Sequence, residues 1–182
     1  MSAWESRIPP PARSYRPSTR FFRLEHLRQL RRSEQVAAVC YRVRKSGIQF
    51  LLVQTRGGRW IFPKGNAEPG LTHAQAAALE AFEEAGVHGR MEEAAFTRYA
   101  RHKRGAESAV ETVVNVHLCE VLWLDPAPEA GRNPTWFSAE KGKRRLQEGR
   151  TAELASELVD VIERAVSRIE RLLSGATRPA RK

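Results

Sequence analysis

Residues 65–87 read GNAEPGLTHAQAAALEAFEEAGV, and the way this stretch divides decides how the rest of the chain is arranged. Thr72 and Gln75 have the spacing of a capping box, and Gly86 is a natural stop, so a helix is predicted over 72–85. At about 100° per residue, Glu80, Glu83 and Glu84 fall on one face of that helix, with His73 nearer its start. The opposite face holds Ala78, Leu79, Phe82 and Ala85, where a core is expected. Like charges at this spacing repel by a few tenths of a kcal/mol on an exposed helix, roughly. Two readings of the triplet follow: a solvated acidic face, or hard oxygen ligands whose repulsion a divalent cation such as Mg2+ or Mn2+ offsets.

The residues before the helix bear on that choice. Phe62-Pro63-Lys64-Gly65 predicts a tight backbone turn. Glycine lets a backbone approach a phosphate or metal closely, and the neighbouring carbonyl could serve as a further oxygen ligand. Lys64 brings positive charge to the same place, and Glu68 another carboxylate.

Outward from this stretch, QVAAVCYRV (35–43) and IQFLLVQTR (48–56) are rich in Val, Ile and Leu, and Arg44 to Gly47 separates them. They predict a β-hairpin. Trp60-Ile61-Phe62 suits a short strand, 88–103 a loop and strand, and Glu111 to Leu124 a long strand. Residues 125–134 form a loop. TWFSAEKGKRRLQEG (135–149) opens as a strand and continues as a helix capped by Ser138. In 153–174, Leu154, Leu158, Val161, Ile162, Ala165, Val166, Ile169, Leu172 and Leu173 form one apolar stripe, as a helix packed on the domain or on a second copy shows. The order implies an α+β fold with a mixed sheet between helices.

Residues 65–87 resemble the Nudix box. That family's pattern sets a glycine, a glutamate, an Arg-Glu pair, an aliphatic residue, a Glu-Glu pair and a Gly-aliphatic pair at fixed spacing. Gly65, Glu80, Glu83, Glu84, Gly86 and Val87 fall in register with it. Leu71 stands where the family has its first Glu, and Leu79 where it has the Arg that helps hold a catalytic Glu by an ion pair. Ala81 is small for the aliphatic position. WIFPKGNAEPG and the later Thr135-Trp136-Phe137-Ser138 helix start look like the group that acts on diphosphoinositol polyphosphates and diadenosine polyphosphates.

The resemblance implies an α/β/α sandwich with an extra C-terminal helix. It also implies Mg2+-dependent (or Mn2+-dependent) hydrolysis of a phosphoanhydride in a polyphosphorylated metabolite: a diphosphoinositol polyphosphate, a diadenosine polyphosphate or a nucleoside diphosphate derivative. Its metal ligands are then Glu80, Glu83 and Glu84 with a carbonyl of Gly65 or Lys64, and Glu84 is the choice for general base. Glu107 and Glu111 are candidates for the further acid that some relatives use. Arg56, Arg59, Lys64, Arg101, His102, Lys103 and Arg104 are candidate cations for substrate phosphates.

The domain layout expected is a basic N-terminal arm over 1–34, the catalytic domain over 35–174 and a basic tail over 175–182. The arm has eight arginines from Arg7 to Arg32 against one acid, Glu25. The net charge of +10 favours an anionic partner. An anionic small molecule is the first choice and RNA the second, because the alternative function is a Nudix-fold binding protein with weak or no turnover, its arm reading RNA phosphates. No apolar run is long enough for a membrane span, and no signal peptide is evident. Cys40 and Cys119 read as reduced core thiols. A cytoplasmic monomer or homodimer is expected.

Overall fold

A computed structural model describes residues 34–102 and 111–176. The basic arm, save for Glu34, lies outside the described residues, as do Lys103, Arg104, Glu107 and the tail from 177 onward.

The predicted hairpin forms from β1 (Glu34–Arg44) and β2 (Gly47–Gln54), paired antiparallel with Tyr41 opposite Phe50. Side chains alternate along β1. Ala37, Val39 and Tyr41 enter one core, while Val36, Ala38 and Cys40 enter the other. A strand buried on both faces must belong to the middle of a sandwich, and β1 does. On one side it pairs with β2, which carries β3 (Trp60–Ile61) and β8 (Thr135–Ser138). On the other side it pairs in parallel with β7 (Glu111–Leu124), bringing Cys40 opposite Cys119. β7 in turn pairs antiparallel with β5 (Val87–Met91) and β6 (Thr97–His102). The eight-stranded sheet is therefore mixed, as expected.

One helix covers one face and two cover the other. α1 (His73–Ala85) buries Ala76, Ala77, Ala81 and Ala85 against Val36, Ala38, Leu51 and Val53. Thr72 and Gln75 form the reciprocal capping box, and Gly86 closes the helix in the left-handed conformation at φ 65°. α2 (Ala139–Gln147), capped by Ser138, and α3 (Ala152–Ala176) cover the opposite face through Leu146, Leu158, Ile162, Ala165 and Ile169. The apolar stripe of α3 thus packs at home over most of its length, and only Leu172 and Leu173 at its end are exposed.

Three expectations need correction. Leu79 and Phe82 do not reach the core and are 38% and 37% exposed. The alanine side of α1 packs instead, because small side chains let the helix lie close to the sheet. Phe82 packs edge-on against His88, which stacks on Trp123. The stretch 88–103 contains two strands rather than one, with the turn between β5 and β6 at 92–96. The Pro/Gly break after Phe62 is also more than a turn, since Lys64–Asn66 forms a short strand, β4, antiparallel to β1.

Candidate active site

β4 and α1 build the site together. β4 places Lys64 opposite Ala37 and Gly65 opposite Val36 in the sheet, so Gly65 looks toward α1. A Cβ added to Gly65 would lie 1.6 Å from Glu80 Oε1. Gly65 has no positive φ, so it is glycine here for room rather than for backbone freedom. The Glu80 carboxylate fills the cradle that the missing side chain leaves.

Glu84 lies deeper, at 3% exposed. The Lys64 backbone N–H donates to its Oε2 at 3.2 Å, and Arg132 Nη2 stands 2.6 Å from its Oε1. Glu83 is half-buried, and neither Glu80 nor Glu83 makes a side-chain hydrogen bond or ion pair among the described residues. Burial, then the charges of Glu84, Glu83 and Glu129, push the Glu80 carboxyl up to about 7. Burial also raises Glu84, against the pull of Arg132 and of the Lys64 N–H.

These features fit a hard divalent cation in their donor chemistry. Carboxylates share one helix face, a glycine cradle admits close approach, and their mutual repulsion calls for positive charge. The ligand set is not closed, however: among the described residues no group of three His, Cys, Asp or Glu side chains stands ready to hold a metal ion. Glu84 is engaged by Arg132 and Lys64, while Glu80 rests against Gly65.

The structure brings together some of the predicted cations. Burial, then the charge of Arg101, lowers the Lys64 ammonium. Tyr99 and Arg101 alternate onto the same face of β6, and the Tyr99 hydroxyl is buried without a hydrogen-bond partner among the described residues. Burial raises that hydroxyl to about 12, with Arg101 and Arg150 opposing the shift. Arg59 reaches the carbonyl of Gly149 at 3.4 Å. Arg56 is exposed at the end of the hairpin. His102 ends β6 and Glu111 begins β7, opposite one another in register.

Sequence reasoning missed Glu129, Arg132 and Arg150. The first two lie in the loop read only as a connection, and Arg150 follows α2, where it donates to the carbonyls of Leu146 and Trp60. Burial, then the charges of Arg59 and Arg101, lower Arg150, which puts it in the same cationic field. No local periodicity marks any of them. Glu68 is exposed, and His73 pairs with Glu34 at 3.1 Å. His117 is buried and bonds the carbonyl of Glu92. Phe62 and Tyr99 are core residues, while Trp60 packs edge-on to Phe137. A groove of about 480 Å³ between 92–96 and α3 lies apart from the carboxylates, and its Arg164 and Arg168 are already bonded to Thr97 and Glu92.

The sandwich sets the glycine-bearing strand β4 against the glutamate-bearing helix α1. The NUDIX domain model matches residues 33–157, and the chain belongs to the Nudix hydrolase family. Solved structures with the same fold include an Ap4A hydrolase from C. elegans, 20% identical over 79% of this chain and 98% of that one, with a TM-score of 0.55. A NUDIX hydrolase from Nitrosomonas europaea is 22% identical over 74% of this chain and 90% of its own, with a TM-score of 0.57. The NUDIX domain of Shewanella oneidensis NrtR, complexed with ADP ribose, is 17% identical over 76% and 88%, with a TM-score of 0.58.

Proposed function

We propose that this protein hydrolyses a phosphoanhydride bond in a polyphosphorylated metabolite, with Mg2+ or Mn2+ held by Glu80, Glu83 and Glu84 and a carbonyl of Lys64 or Gly65. The observation that carries the reading is the packing of Glu80 into the Gly65 cradle beside buried Glu84. Family membership supports it, and Ap4A and ADP ribose, named with two of the similar structures, both contain a phosphoanhydride.

A divalent cation bound there supplies charge neutralisation for the diphosphate oxygens and lowers the pKa of attacking water. The chain's own residues do the rest. One of the box glutamates doubles as the base that takes the proton from water, and Glu80 is the candidate because its side chain makes no hydrogen bond or ion pair among the described residues. Glu84 is less suited to that step because one oxygen accepts from the Lys64 N–H and the other is paired with the Arg132 guanidinium. Lys64, Arg59 and Arg101 are the first candidates to meet the substrate's remaining phosphates, and Arg56, His102, Lys103 and Arg104 are further candidates. This concentration of positive charge favours a substrate with several phosphates over one with a single neutral leaving group. No described helix is long and apolar enough to cross a membrane. The buried thiols of Cys40 and Cys119 are free, which suits the reducing cytoplasm.

The test is a Mg2+-dependent hydrolysis panel of dinucleoside polyphosphates, sugar nucleotides, diphosphoinositols and triphosphorylated RNA. Turnover of at least one is expected, with Glu83→Gln reducing it by about a hundredfold or more, as loss of a direct metal ligand should. Metal-independent, salt-sensitive RNA binding with no turnover on any substrate would instead make the protein a Nudix-fold binder.

A further inference from the structure

The helix that bears the three glutamates contains neither lysine nor arginine. Any fixed positive charge beside them has to come from elsewhere in the chain. Leu79, at the box's arginine position, supplies none and points to solvent.

The charge arrives from the loop between β7 and β8. Arg132 Nη2 lies 2.6 Å from Glu84 Oε1, and Arg132 Nε donates to Glu129 Oε2 at 2.7 Å. The backbone around the arginine is fastened at several points. Its carbonyl accepts from the Gln54 N–H at 2.6 Å, and the Glu129 N–H donates to the carbonyl of Glu83 at 2.9 Å. The Asn133 amide donates to Gln54 Oε1 at 3.3 Å. A guanidinium held by its own backbone and by a second acid presents its charge in a fixed direction.

We infer that Arg132 is a positioning residue. It holds the Glu84 carboxylate in place for the metal, taking over from a distant loop the task that Leu79 leaves undone. An ionised carboxylate offers about four lone-pair positions, so the ion pair with Arg132 and the bond from the Lys64 N–H leave acceptor capacity for a metal. This rests on the metal-site reading above. The opposite role is a plug, in which Arg132 substitutes for the cation and has to leave before metal enters. The backbone anchorage favours positioning, since a plug needs freedom to withdraw.

The two roles predict opposite signs in one measurement on the full chain. Mn2+ alone is titrated by electron paramagnetic resonance into wild type, Arg132→Met and Arg132→Lys, with kcat and KM recorded on whichever substrate is turned over. Positioning predicts Mn2+ affinity about tenfold or more weaker in Arg132→Met, the usual scale for groups that orient metal ligands. It also predicts a matching fall in kcat, KM changed less, and Arg132→Lys intermediate. Unchanged affinity in folded Arg132→Met overturns the inference, and tighter affinity establishes the plug instead. Should Arg132→Met fail to fold, Arg132→Lys decides: affinity and kcat equal to wild type overturn the inference. Failure of wild type to bind Mn2+ removes the metal-site reading and this inference with it, whereas normal wild-type binding with no effect at Arg132 removes the inference alone.

Discussion

Gly65 and Glu80 are a single unit at the residue scale. An alanine at position 65 places its Cβ on the Glu80 carboxylate, 1.6 Å from Oε1, so the flexible acid has to move rather than the backbone. Gly65→Ala is therefore expected to cut Mg2+-dependent turnover by about tenfold or more while shifting unfolding free energy by no more than about 1 kcal/mol. Equal losses of activity and stability would show that the cradle is structural. Glu80 also gives a pH dependence. Its carboxyl rises from 4.5 to about 7 in the metal-free fold, so within that window the folded state holds a proton that the unfolded chain has released. Metal-free protein should lose stability as pH rises from 5 toward 8, and Glu80→Gln should flatten that slope. Matching thermal unfolding slopes for the two would remove the shift. The glutamates themselves were legible, because helical spacing gathers them whatever the tertiary structure. Arg132 was not, since its partner lies in a different element and nothing local in 125–134 distinguishes it from other loop cations.

Each element owes its place to a different kind of signal. α1 was legible at both ends through Thr72, Gln75 and Gly86, yet its packing face was misjudged. Hydrophobic size suggests Leu79 and Phe82, but a helix lying close to a sheet selects alanines, and a pattern of small residues is not separable from helix propensity in a single sequence. β4 was hidden because three residues after a proline carry no period. α3 was legible throughout, since its stripe repeats over several turns. Leu158 is fully buried in the core that α3 shares with β1, β2 and β7. Leu158→Ala should cost about 2–5 kcal/mol in urea unfolding, a loss set by the cavity it leaves. A cost below about 1 kcal/mol would mean that α3 is a peripheral addition rather than part of the fold.

For the molecule as a whole, the sequence conveyed the layers but not the strand order. The α+β class follows from the succession of periodic segments. The parallel pairing of β1 with β7 does not, because both strands are rich in apolar residues and any of several neighbours would satisfy them. That pairing centres the sheet and lets the loop after β7 return over the end of α1. The loop also carries a consequence for portability. Residues 65–87 contain every glutamate of the box, yet the guanidinium paired with Glu84 comes from a separate loop, the kind of segment that ordinarily varies most among homologous proteins. A transplant of the box alone into another Nudix scaffold would import the acids without their counter-ion. For this chain, the transferable unit is the box together with its loop.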